Sequence, residues 1–130
     1  ARYINFELKE GIIINHLPET VIMPSQGKDF KGLGGLVKRL VHPTTVGSVN
    51  LGVSICYLNP GEEVKCHNHS FEEAYFIIQG TGKMYLDGQE FKLVPNMSVY
   101  IPAGKDHGQV NNGSEPLVIL CSLSPAPNNW

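Results

Sequence analysis

His67, His69, Glu73 and His107 are the residues of this chain whose types and spacing carry chemistry. Three imidazoles and one carboxylate satisfy a divalent transition metal while leaving coordination positions open for water, substrate or oxygen. Side chains alternate faces along a strand, so His67 and His69, at i and i+2, point the same way on one strand, and Glu73 returns on its neighbour after a short turn. That reading takes three ligands from one hairpin. His107 then comes from a distant strand, which requires the chain to close into a barrel or sandwich. Without a metal, three histidines and a carboxylate would have to converge inside an apolar barrel, where an unpaired carboxylate is costly to bury. His16 and His42 belong to no such cluster and read as ordinary surface or core residues.

Around these four residues the sequence reads Gly61, His67, His69, Glu73, Gly80 in the spacing G-x5-H-x-H-x3-E-x6-G, and then Pro102, Gly104, His107, Asn111 in the spacing P-x-G-x2-H-x3-N. Both patterns resemble the two motifs of the cupins, over roughly residues 46 to 125. The second departs only at its opening glycine, where this chain has Asn96. Asparagine tolerates a positive-φ turn best after glycine, so a turn of that kind is expected there. The resemblance implies an all-β double-stranded β-helix, a jelly-roll barrel, holding one divalent metal: Mn, Fe, Ni, Co or Zn. It also implies His67, His69, Glu73 and His107 as the ligands, with Glu73 rather than Glu72 by spacing. Small cupins are often dimers built through edge pairing, so it implies a homodimer as well.

Alternation proposes what else faces the site. With Glu73 inward, Tyr75 and Ile77 share its face; with His107 inward, Gln109 and Asn111 do too. Tyr75 and Gln109 are the candidate catalytic residues, against the plainer reading that Tyr75 fills the barrel and Gln109 satisfies a loop carbonyl. Glu72 faces the other way, toward solvent. Cys66, next to His67, faces away from the ligands and reads as a small buried apolar residue. Cys56 and Cys121 lie on strands that can line the barrel. Lys38 and Arg39 precede the barrel proper; a guanidinium at a pocket mouth suits a carboxylate or phosphate, although surface exposure is commoner.

The elements that must position these groups are strands. Short β-compatible runs fall at 36–41, 49–58, 74–79, 82–86, 90–93, 98–101, 108–111 and 117–123, spaced as in a sandwich or barrel. Asp87-Gly88 between Leu86 and Gln89 asks for a two-residue type I′ hairpin. Asn59-Pro60-Gly61 and Asn112-Gly113 mark further turns. Residues 1–35 form an extended arm with one or two strands, 36–125 the barrel and 126–130 a tail ending at Trp130. In the arm, Tyr3, Ile4, Phe6 and Leu8 alternate with polar residues and need a sheet edge, of this barrel or of a second copy.

The 130 residues suit one core and are too few for two. A net charge of −2 with no basic stripe points away from nucleic acid. The longest aliphatic runs, Ile12–Ile14 and Leu117–Leu120, are too short for a helix to span a bilayer, and no signal pattern opens the chain, so no membrane partner is expected. Three cysteines at unhelpful spacing argue against a disulfide framework and for the cytoplasm. The partner expected is a small oxygen-rich molecule. Three functional classes fit: a metal-dependent oxidoreductase of the dioxygenase kind, preferred because inward proton-transfer groups are few; a sugar isomerase, epimerase or lyase; and a non-catalytic, metal-containing binding protein.

Overall fold

The computed structural model describes residues 17–128. The alternating segment at Tyr3–Leu8, His16 and Trp130 lie outside these residues. Among the described residues, ten strands follow a single 3-10 turn: β1 (Lys28–Phe30), β2 (Leu36–Val41), β3 (Gly52–Leu58), β4 (Glu63–His67), β5 (Glu72–Gln79), β6 (Gly82–Leu86), β7 (Gln89–Leu93), β8 (Ser98–Ile101), β9 (His107–Val110) and β10 (Leu117–Ser124). They form a six-stranded sheet in the order β1-β2-β3-β10-β5-β8 and a four-stranded sheet in the order β4-β9-β6-β7. Every pairing is antiparallel. This is the double-stranded β-helix expected from the sequence.

Period-two alternation builds the interior. On β5, Glu73, Tyr75 and Ile77 are buried while Glu72, Ala74 and Phe76 are exposed. The inner faces of both sheets meet in one cluster that includes Tyr75, Ile77, Met84, Leu93, Ile101 and Ile119. β10 lies at the centre of its sheet and is apolar on both faces, because a second cluster of Leu40, Ile55 and Val118, packed with Ile22, covers its outer side.

Turn chemistry fixes the registers. Asp87 and Gly88 take φ of 49° and 85°, and Leu86 pairs directly with Gln89, the two-residue hairpin that Asp-Gly asks for. Asn96 adopts φ of 72°, so the one departure from the second motif keeps the motif's backbone. At Gly80 glycine is required twice over: φ is +83°, and a Cβ would sit 2.3 Å from the carbonyl oxygen of Pro116.

Two expectations need correction. The run 49–58 enters the sheet only at Gly52; Val49 and Leu51 are 87% and 52% exposed in a turn that Ser48 Oγ closes by donating to the Leu51 carbonyl. Residues 63–67, not among the expected runs, form β4, whose mix of Glu63, Lys65 and Cys66 on the outer face hides Val64 and His67 from a composition reading.

Candidate metal centre

The three-ligand hairpin does not form. β4 ends at His67, residues 68–71 cross to the other sheet, and Glu73 lies on β5, whose neighbours are β10 and β8. His67 instead stands directly opposite His107 in the β4–β9 register. The site therefore joins the two sheets at one end of the barrel. Alternation along a strand was the right local rule, but the strand stops before His69, which a loop must place.

Contacts on both sides hold that loop. The Gly104 amide donates to the His69 carbonyl at 2.8 Å, and Asn68 Nδ2 donates to Asp106 Oδ1 at 2.8 Å. The His69 ring stacks on Phe71 with centroids 3.7 Å apart and planes 5° from parallel. Nothing in the motif spacing singles out Phe71 or the Asn68–Asp106 bond.

Each ring is oriented by the same device. Nδ1 donates to a backbone carbonyl: Lys65 at 2.6 Å for His67, Phe71 at 2.8 Å for His69, Lys105 at 2.9 Å for His107. A hydrogen on Nδ1 leaves a lone pair on Nε2, the form in which an imidazole ligates a metal. Ligating atoms of the three rings lie within 4.8 Å of one another, so the three histidines could hold one ion. His107 is fully buried, and its Nε2 has no hydrogen-bond partner among the described residues. A buried nitrogen with a free lone pair is costly unless something binds it. The donor set fits a divalent transition metal.

Glu73, 6% exposed, approaches two of the rings: Oε1 is 3.1 Å from His69 Nε2 and 3.6 Å from His107 Nε2, the second too long for a hydrogen bond. Burial pushes its carboxyl up, but the neighbouring His107 and His69 outweigh burial and hold it below the ordinary value. Burial is also the main force that lowers His67, with the other two imidazoles adding to it against the Lys65 carbonyl and the Glu73 charge. Glu72 points outward as expected and accepts a 2.8 Å hydrogen bond from the Tyr100 hydroxyl.

Below the histidines runs a narrow, mostly apolar pocket with Ser54, Cys56, Tyr75, Gln109 and Cys121 in its wall and room for little beyond a water molecule. The Tyr75 hydroxyl donates to Gln109 Oε1 at 3.3 Å, so the two candidate catalytic residues are brought together. Burial, then the Glu73 charge, drives the Tyr75 phenol well above its ordinary value, and the same two causes push the Cys56 thiol up to about 12. Cys121 is raised likewise, first by burial. Tyr75 is thus a firmly protonated donor and neither thiol offers a thiolate. Cys66 faces away from the histidines as expected, but it is exposed rather than buried, because the outer face of the four-stranded sheet is uncovered there. His42 is a satisfied core residue: Nε2 donates to the Pro127 carbonyl at 2.6 Å, and Nδ1 accepts from the Thr44 amide at 3.0 Å. Lys38 pairs with Asp29 at 2.6 Å, while Arg39 is buried.

A family model described as Cupin domain matches residues 54–123, more than half of the chain. The chain belongs to the cupin family. Among characterised and uncharacterised relatives, it is 32% identical over 93 residues to the uncharacterized protein MJ1618 of Methanocaldococcus jannaschii, covering 71% of this chain and 74% of that protein. It is 30% identical over 93 residues to the polyketide synthase CurC of Streptomyces cyaneus, covering 71% of this chain but only 60% of that one. In fold, it is similar to the polyketide cyclase RemF of Streptomyces resistomycificus, with a TM-score of 0.70 at 17% identity over 80% of this chain and 78% of that one. Within this cupin, the motif residues divide by task. The histidines and Glu73 face one another, whereas Gly80 and Asn111 serve the backbone: Asn111 Nδ2 donates to the carbonyls of Leu58 and Glu115, both at 2.8 Å, and Oδ1 accepts from the Gly113 amide at 2.9 Å.

Proposed function

We propose that His67, His69, His107 and Glu73 hold one divalent transition metal and that the protein is an enzyme acting on a small molecule with chelating oxygens, of the β-dicarbonyl type, by proton transfer rather than oxidation. A metal in that position supplies Lewis acidity toward the substrate's oxygens. The observation that carries the reading is Tyr75: a phenol kept protonated by burial, steered by Gln109 and set in the pocket wall beside Glu73. The Tyr75 hydroxyl, whose one proton rests on Gln109 Oε1, turns from that amide to donate to an oxygen that gains charge when a carbonyl is attacked, and the apolar wall limits competition from water. A chelated β-dicarbonyl is acidic enough to give up its α-proton to solvent, and solvent returns a proton to Tyr75 after the step, so a site with an acid and no dedicated base suits it. Similarity to a polyketide synthase protein and to the fold of a polyketide cyclase, both named for chains of alternating carbonyls, supports the same class.

The dioxygenase expectation is the second reading, favoured by one observation: apart from Glu73 and His67, the side chains of the described pocket wall with an O–H or S–H proton are Tyr75, Ser54 and the two thiols, and none of these is a ready base. Anaerobic reconstitution with Fe(II), Mn(II), Ni(II) and Zn(II), followed by diketones, flavonols, hydroxy-acids and keto-sugars with oxygen uptake and product mass recorded, separates the two. Turnover without oxygen, with Zn(II) among the active metals, supports proton transfer. Oxygen consumption coupled to substrate with Fe(II), Mn(II) or Ni(II) but not Zn(II) overturns it in favour of the dioxygenase, and tight binding without turnover makes the protein a binding module. A homodimer in a reducing, cytoplasmic setting belongs to the same proposal; a single 14 kDa species in sedimentation at micromolar concentration refutes the dimer.

A further inference from the structure

Arg39 is 9% exposed, and its Nη2 is buried with no hydrogen-bond partner among the described residues. Strand register gives its direction. Arg39 pairs with Ser54, Ser54 with Cys121, and Cys121 with Tyr75. Partners in an antiparallel sheet share a face, and Ser54, Cys121 and Tyr75 all line the pocket, so Arg39 projects from the inner face on the same row. Its neighbour Lys38 points outward and meets the ordinary fate of a surface cation, an ion pair with Asp29. Burial without a counter-charge lowers the Arg39 guanidinium from its ordinary value. A buried guanidinium nitrogen left unpaired is a standing cost that an apolar residue of similar length would avoid.

We infer that Arg39 is a specificity-determining residue that receives a carboxylate on the substrate whose chelating oxygens the histidine cluster takes, the narrow pocket between them widening by side-chain movement to admit it. The planar guanidinium fork matches a carboxylate, and the inward side of this row offers one cation, which balances a monoanion. Glu73, the one carboxylate of the described pocket wall, is turned to His69 and His107. This inference rests on the proposed function, since it names the substrate class of the same site.

The test compares two probes with one chelating unit: 4,6-dioxoheptanoate, which carries a carboxylate, and heptane-2,4-dione, its neutral counterpart of equal length. Each is titrated into the Co(II)-loaded protein and its affinity read from the visible absorption of the metal. The wild type is expected to bind the keto-acid about 10- to 100-fold more tightly than the dione, the range for a charge-assisted bidentate contact. Arg39→Gln should close that gap by weakening the keto-acid alone, with dione affinity within about twofold, and Arg39→Lys should restore part of it. Circular dichroism and Co(II) content show that each variant is folded and loaded. Equal affinities in the wild type, or an undiminished gap in Arg39→Gln, overturn the assignment of Arg39 while leaving the metal site standing. No absorbance change with either probe on a fully loaded protein overturns the chelation reading and this inference with it.

Discussion

Replacing Asn111 by alanine should destabilise the fold while sparing the histidine cluster, whose His107 lies four residues away. The side chain is fully buried and makes three hydrogen bonds, two donated to the carbonyls of Leu58 and Glu115 and one accepted from the Gly113 amide. Each is worth about 0.5–1.5 kcal/mol net, and the bond to Leu58 lies where water does not reach, so its loss carries the full desolvation penalty of about 1–3 kcal/mol. The backbone bonds of Asn111 with Glu62 and Gly61 survive the change, and the partly buried partners near Glu115 can recruit water. The sum is about 3 kcal/mol. With an unfolding entropy of about 2.1 cal/mol/K per residue over 130 residues, Tm falls by about 10 °C. Urea unfolding followed by circular dichroism measures it, with the midpoint falling and the slope unchanged. Asn111→Asp keeps the acceptor, loses both donations and buries a charge, so it should cost at least as much at neutral pH. A loss below about 1 kcal/mol for both variants would show that this asparagine is not a structural staple. Metal bound per folded molecule should not change, because His107 is held by its pairing with His67 and by the Lys105 carbonyl.

The remaining expectations concern the cluster and its frame. His69→Ala and His107→Ala should each strip bound metal from a protein that still shows a β spectrum; full occupancy by elemental analysis in both would refute the ligand set. Glu73→Gln should bind metal more weakly with the fold intact, and unchanged retention would refute its role as a ligand. The lowered imidazole of His67 gives metal-free protein a stability that is complete above the unfolded value of about 6.5 and is lost as pH falls toward the lowered folded value, because the unfolded chain takes the proton first. Chemical denaturation between pH 8 and 5 should show that loss, and His67→Gln should reduce it. Gly80→Ala should cost well over the ~1 kcal/mol expected at Gly61, since both have positive φ but only Gly80 lies against backbone; equal melting points would refute the steric account.

Much of this protein was decided within short windows of sequence. Which of Glu72 and Glu73 faces inward, which of Cys66 and His67 faces outward, the Asp87-Gly88 hairpin and the positive φ at Asn96 all follow from side-chain alternation and turn sterics. These act over two to four residues and need no knowledge of the partner strand. The partners were decided by the tertiary structure. That His67 faces His107, that His69 leaves the strand for a loop held by Gly104 and Asp106, and that Arg39 lies inward on the row of Ser54 and Tyr75 depend on register between strands far apart in sequence. Register is set by the packing of two whole sheets and by crossovers such as residues 68–71, so no local pattern encodes it. Asn111 shows the division in one residue: its inward direction is periodic and legible, but its work, tying β9 to β3 and to the turn before β10, exists only once those strands meet.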